Sequence, residues 1–169
     1  MSFKELAAKR YSCRQFSDRE VDDATIQSLL EVQRLAPTAH NAQSQRIYVL
    51  KGQEGRDIIG QATHCVFGAP LFFVICYDRD ACWKRSYDGF LGGPVDAVIA
   101  GCHLDFAIAD AGLASCWVCT FDPAKLREAM QLPDNHIPMA IFPAGYAADD
   151  AQPSPSHTDR HPLSDTVMS

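Results

Sequence analysis

The stretch RYSCRQF, residues 10–16, sets Arg10, Ser12 and Arg14 in alternation with Tyr11, Cys13 and Gln15. In extended backbone, alternate side chains share a side. Two guanidinium groups and a hydroxyl would then face one way. Guanidinium forks match phosphate oxygens in bidentate geometry, and a serine hydroxyl adds a donor. The competing reading is a pair of solvated surface arginines. The chain carries a net charge of −6, which argues against a general nucleic-acid or acidic-membrane surface, so an anion site here would be local.

A second polar concentration is APTAHNAQSQ, residues 36–45. Thr38, His40, Asn41, Gln43, Ser44 and Gln45 crowd a loop between a helix and a strand, where ligand-binding residues often sit. Asn41 and Gln43 each offer donors and acceptors, which suits the edge of a heteroaromatic ring. A solvated loop is the alternative. The third candidate is Cys116-Trp117-Val118-Cys119, whose spacing fits a redox dithiol or half a zinc site. A zinc site needs a second pair, and Cys102-His103 or Cys76 with Cys82 does not provide one. A thioredoxin-like pair belongs at the start of a helix after the first strand of its unit; here the pair comes late. His64, His103, His136, His157 and His161 form no metal-ligand spacing. No phosphate-binding or dinucleotide glycine pattern is present.

These residues need elements to hold them. SFKE has the form of a capping box with Ser2 as N-cap and Glu5 reaching back, and the short helix it starts delivers the chain to Arg10. The segment 21–37 predicts a second helix, capped by Asp22 or Asp23, with Ile26, Leu29, Leu30 and Leu35 at helical spacing and Pro37 ending it. RIYVL (46–50) predicts a strand and 55–63 a short helix. LFFVICYD (71–78), a continuous apolar run, predicts a strand buried on both faces. The longest element is a helix over 95–112, with Val95, Val98, Ile99, Cys102, Phe106 and Ala109 on one stripe and Gly112 as its C-cap. The many Ala and Gly residues elsewhere on it allow close approach from several sides, which places it at the centre of the fold. Residues 113–121 predict an extended segment. Asp122 and Pro123 start a further helix over 122–130. PMAIF (138–142) predicts a last strand, closed by Pro143 and Gly145. From about Ala147 the chain turns polar and rich in Pro and Ser, too poor in apolar residues to pack alone. That segment is either a loose tail or an arm that orders against another surface.

With 169 residues, 47% of them apolar and 21% charged, the chain has the size and composition of one soluble globular domain. Its first residues lack a signal peptide's apolar centre, and no apolar run is long enough for a membrane span. The expectation is a soluble cytoplasmic protein. The seven cysteines (13, 65, 76, 82, 102, 116 and 119) are odd in number and mostly lie in apolar runs, as expected of reduced core thiols.

Taken in order, KRYSCRQF, APTAHNAQSQRIYVL, DFAIADAGLASCWVCTFDPAKLREAMQLP, PMAIFPAGYAAD and DRHPLSDTV resemble the nitroreductase family of flavin oxidoreductases over nearly the whole chain. The resemblance implies an α+β fold: a mixed, mainly antiparallel sheet flanked by helices, in an intertwined homodimer. The long helix would form much of the dimer core, and residues 147–169 would be a C-terminal arm packing on the partner subunit. It implies FMN at the subunit interface. Arg10, Tyr11, Ser12 and Arg14 would hold the phosphate and the polar edge of the flavin, with Arg160 as a further phosphate-side arginine. Pro37, Thr38, Ala39 and Asn41 would approach the ring from the partner chain, with Gln43 supporting that loop or touching the ribityl region. Trp117, Val118 and Cys119 would pass their backbone along the flavin's N5 and O4 side.

The implied activity is electron transfer from NADH or NADPH through FMN to an electron-poor small molecule such as a nitro compound or quinone, with no side chain acting as catalyst. Two alternatives stay open: a flavin-binding protein with little turnover, and a Cys116/Cys119 dithiol protein. The sequence departs from the family pattern at Thr38 (usually serine), His40 (usually small), Ser44 (often proline) and Gln45 (often aromatic). Cys13 is expected to face the core. The short segment after residue 78 leaves little room for a large substrate lid.

Overall fold

The computed structural model describes residues 1–168; Ser169, the end of the expected arm, lies outside the described residues. Five α-helices and four strands follow one another as α1 (Phe3–Lys9), α2 (Asp23–Gln33), β1 (Gln45–Lys51), α3 (Gly52–Gly60), β2 (Leu71–Asp78), α4 (Gly93–Asp110), β3 (Ala114–Ser115), α5 (Pro123–Met130) and β4 (His136–Gly145). The sheet order is β1-β2-β4-β3, and every strand pair is antiparallel. The parallel contribution is a bridge from Ser12 to Ser115.

The sheet is the middle of three layers. Along β2, Leu71, Phe73, Ile75 and Tyr77 face α2 and α4, while Phe72, Val74 and Cys76 face α3 and α5. This alternation between two covered faces explains why all eight residues of β2 are buried. Cys76 is fully buried, and burial pushes its thiol up to about 12. Helix starts follow their side chains. Ser2 and Glu5 form the capping box, Asp22 accepts the Thr25 N–H at 2.8 Å, and Asp122 accepts those of Ala124 and Lys125. Gly112, at φ +75°, closes α4 in a left-handed turn that glycine adopts without a steric penalty.

Two local expectations are corrected. Helix α2 ends at Gln33, before Pro37, because the chain tightens so that Leu35 and Ala36 donate to Val32 and Gln33. This turns Ala36 inward and leaves Leu35 exposed. Strand β4 does not stop at Pro143. The Pro143 carbonyl accepts the Cys116 N–H at 3.1 Å, so its missing donor faces the short β3 edge rather than β2, where a proline is tolerated.

The apolar stripe of α4 faces away from the sheet: Val95, Val98 and Cys102 are exposed, and Ile99, Phe106 and Ala109 half-buried. The core takes the opposite side, Ala97, Ala100, Gly101, Leu104, Ala107 and Ile108. Its Ala and Gly residues let the helix lie close on the sheet, and Leu104 and Ile108 fill the space between them. A Cβ at Gly101 would come within 3.1 Å of the Trp117 ring.

Leu104 is fully buried between α4 and the sheet. Leu104→Ala should lower unfolding free energy by about 2–5 kcal/mol. Chemical denaturation measures this, and a loss under about 1 kcal/mol would contradict the packing described.

Candidate functional site

The segment 10–16 runs extended beside β3, tied by the Cys13 N–H to the Ser115 carbonyl at 2.8 Å. Cys13 is buried, as expected, and Arg14 on the alternate side is exposed. Arg10, Tyr11, Ser12 and Arg14 together line a cleft of about 270 Å³. Its other wall is the tail: Ser154, Ser156, His157 and Arg160. Here part of the polar C-terminal segment returns to the start of the chain. A short helical turn, Pro155–Thr158, sets the His157 ring edge-on to Tyr11, with Nε2 3.2 Å from the Ala8 carbonyl. Burial raises the Tyr11 phenol above its ordinary range, keeping it a donor.

Behind the cleft lies a buried carboxylate that the sequence reading passed over. Asp105 of α4 is 7% exposed. Its Oδ2 stands 3.5 Å from Arg10 Nε, and its Oδ1 accepts the Ser115 hydroxyl. Burial pushes the Asp105 carboxyl up, against the pull of Ser115 and Arg10. The Nε contact leaves the terminal nitrogens of Arg10 for the cleft. The signal for Asp105 in the sequence is an acid set amid apolar residues of a helix, which is buried only when paired.

The second group, Pro37, Thr38, Ala39, Asn41 and Gln43, lies elsewhere. None of its members lines the cleft. After extended Thr38, the chain takes left-handed conformations at His40 (φ 53°), Asn41 (φ 55°) and Gln43 (φ 49°). The Gln43 N–H donates to Thr38 Oγ1 at 3.1 Å, and Arg46 donates to the Gln43 carbonyl at 3.1 Å while pairing with Asp78 at 3.0 Å. The Ala39 N–H donates to Asp96 of α4 at 2.9 Å. His40 stacks on Trp83, centroids 5.5 Å apart and planes 10° apart, which accommodates its bulk. Ser44 is fully buried.

Trp117, Val118 and Cys119 form the third group. Cys116 and Val118 donate their N–H groups to β4, at Pro143 (3.1 Å) and Ile141 (2.9 Å). Alternation in extended backbone then aims the N–H groups of Trp117 and Cys119 at the outer edge. The same alternation separates the two thiols. Cys116 is buried among the residues facing α3 and α5, whereas Cys119 is exposed beside Trp117, whose indole N–H donates to its sulfur at 3.2 Å. Among the described residues no group of His, Cys, Asp or Glu side chains could hold a metal ion, and no helix is long and apolar enough to cross a membrane.

The model of the nitroreductase family matches residues 7–71 and 64–146. The chain belongs to the nitroreductase family. It is similar to the crystal structure of a nitroreductase family protein from Clostridium difficile 630, at 39% identity, TM-score 0.92, and coverage of 99% of this chain and 98% of that one. It shares its fold with a protein of Desulfovibrio desulfuricans solved in complex with FMN, at 24% identity, TM-score 0.83, and coverage of 98% and 95%. Among curated relatives, an NADPH-dependent oxidoreductase of Staphylococcus haemolyticus is 26% identical over 89% of this chain and 67% of its own length. The α+β architecture with its antiparallel sheet is that of the family.

The separation of the two thiols has a chemical consequence. Mild oxidation of the native protein should give no Cys116–Cys119 disulfide by peptide mass mapping. Alkylation at about pH 8, below the ordinary thiol range, should modify Cys119 and spare Cys76. A Cys116–Cys119 bridge formed without unfolding would contradict the geometry.

Proposed function

We propose that this chain binds FMN and uses NADH or NADPH to reduce electron-poor small molecules, such as nitro compounds or quinones. The observation that carries the reading is the cleft in which Arg10, Arg14 and Arg160 converge with Ser12 and Tyr11. Three guanidinium groups, backed by the one carboxylate of Asp105, leave an excess of positive charge suited to a phosphate monoester dianion. The residues present therefore fit the phosphate end of FMN.

When bound, the flavin supplies the two-electron redox chemistry between nicotinamide and acceptor. The chain's own residues bind and orient. Arg10, Arg14 and Arg160 hold the phosphate, with Arg10 aimed by Asp105. The outward N–H of Cys119 would donate to the flavin's polar edge, where a backbone donor stabilises negative charge. No protein side chain need act as nucleophile or base. The separated thiols disfavour a dithiol function.

The site extends over two copies of the chain. Asp105, beside the cleft, and Asp96, beside the 37–43 loop, are nine residues apart on α4, roughly 13 Å along the axis and about half a turn around it. The two groups thus lie on opposite sides of the central helix in one chain. A two-fold partner brings its loop to the other copy's cleft. The outward apolar stripe of α4 supports this, with Val95 47% and Val98 39% exposed. So does an apolar groove of about 680 Å³ lined by Phe3, Leu6, Leu29, Val32 and Phe106. Leu163, Val167 and Met168 of the tail are also exposed; we assign residues 147–169 as an arm, its end packing on the partner.

Two experiments test this reading. The purified protein should retain flavin absorbance after FMN addition and removal of free FMN by gel filtration, and Arg14→Gln should weaken FMN by about 1–3 kcal/mol, the range for a charge-assisted hydrogen bond; unchanged affinity would remove Arg14 from the site. Heterodimers of Arg14→Glu with Asn41→Trp, purified through two tags, place both defects in one site and none in the other. They should recover about half the wild-type flavin content and turnover, as two-fold symmetry requires. Correctly folded heterodimers with no recovery would refute the shared site.

A further inference from the structure

We propose that Asp96 is the positioning residue for the 37–43 loop, and that it therefore acts on the flavin bound by the partner's cleft. The inference rests on the shared-site reading above. Asp96 lies in the first turn of α4 and is 2% exposed. Its Oδ1 accepts the Ala39 N–H at 2.9 Å, while its Oδ2 has no hydrogen-bond partner among the described residues. A buried carboxylate with one oxygen unpaired is an expensive group to keep. The helix N-terminus offsets part of that by favouring negative charge in the first turn. What it secures is the Ala39 amide.

The loop needs such a hold. Left-handed backbone is unfavourable for residues with a Cβ, and His40, Asn41 and Gln43 adopt it within four positions. Conformations of this kind persist only when the surroundings over-determine them. The Thr38 contact is internal to the loop, and Arg46 reaches its far end from β1. The Trp83 stack holds the exposed ring of His40. Asp96 is the group that ties the loop's backbone to the central helix. Helix and loop also touch directly, since a Cβ at Gly92 would meet the Ala39 side chain at 3.4 Å. Helix α4 thus fixes Arg10 through Asp105 and Ala39 through Asp96. In a two-fold dimer, each α4 positions one part of both sites.

The role belongs to the acceptor oxygen, so charge and hydrogen bonding can be separated. Asp96→Ala should weaken FMN by about tenfold or more, the equivalent of losing a hydrogen bond to a charged acceptor. Asp96→Asn keeps an acceptor at Oδ1 and should restore most of that affinity. Equal losses in the two variants would overturn the proposal. The site of action is read in heterodimers of Asp96→Ala with Arg14→Glu. If Asp96 serves the partner's flavin, one site carries both defects and the other neither, and about half the flavin content returns, as the symmetry requires. No recovery here, alongside recovery in the Arg14→Glu and Asn41→Trp pair, would overturn the role of Asp96 and leave the shared site standing. Failure of both pairs would overturn the shared site and this inference with it. Should Asp96→Ala fail to fold, the wild-type protein still decides: the Ala39 amide should be among the slowly exchanging amides of the flavin-free protein, and rapid exchange there would overturn the proposal.

Discussion

Helix α4 has to be covered on both sides, and much of the architecture follows from that requirement. Its inward side is Ala97, Ala100, Gly101, Leu104, Ala107 and Ile108, where the Ala and Gly positions let the sheet lie close. Its outward stripe is larger and apolar, with Val95 and Val98 exposed in one chain. An exposed stripe of this kind marks an interaction surface. A helix so placed is the natural frame for a site composed of distant segments. The two carboxylates buried on it, Asp96 and Asp105, are each within reach of one such segment. Burying them is costly, and the contacts they make are backbone N–H, hydroxyl and guanidinium, the groups that offset the cost of a buried anion.

The sheet edge contributes in a different way. Strand β3 spans two residues, after which pairing with β4 continues only through the Val118–Ile141 bridge. Pro143 removes a donor on that side. The result is a stretch of extended backbone whose alternate N–H groups bond β4 while the others face outward. A strand paired along both edges would have used both sets. The open outer edge leaves donors for a ligand without leaving buried N–H groups unpaired.

Much of this was legible in the sequence, and what was not has physical causes. The apolar run 71–78 and the caps at Ser2, Asp22 and Asp122 act locally, so pattern alone locates them. The alternation of Arg10, Ser12 and Arg14 is likewise a local property of extended backbone, and these side chains do line one cleft. The orientation of α4 was not legible. With apolar residues on nearly every side, periodicity cannot tell which side meets the sheet; the side rich in Ala and Gly does, with Leu104 and Ile108 filling the space between. His157, Ser154 and Ser156 were missed because their cleft forms only when the tail returns to α1, 149 residues away at the contact of His157 with Ala8. Asp96 and Asp105 were missed because neither has a basic or hydroxyl partner at helical spacing in α4; their partners come from other segments.

The central claim is that one chain's arginine cleft and the other chain's 37–43 loop enclose a single FMN. The most direct test is a crystal structure of the FMN-saturated protein. The account predicts the phosphate among Arg10, Arg14 and Arg160 of one chain, and the ring against Ala39 and Asn41 of the second. A phosphate bound outside that cleft, or a ring contacted by one chain alone, would contradict it.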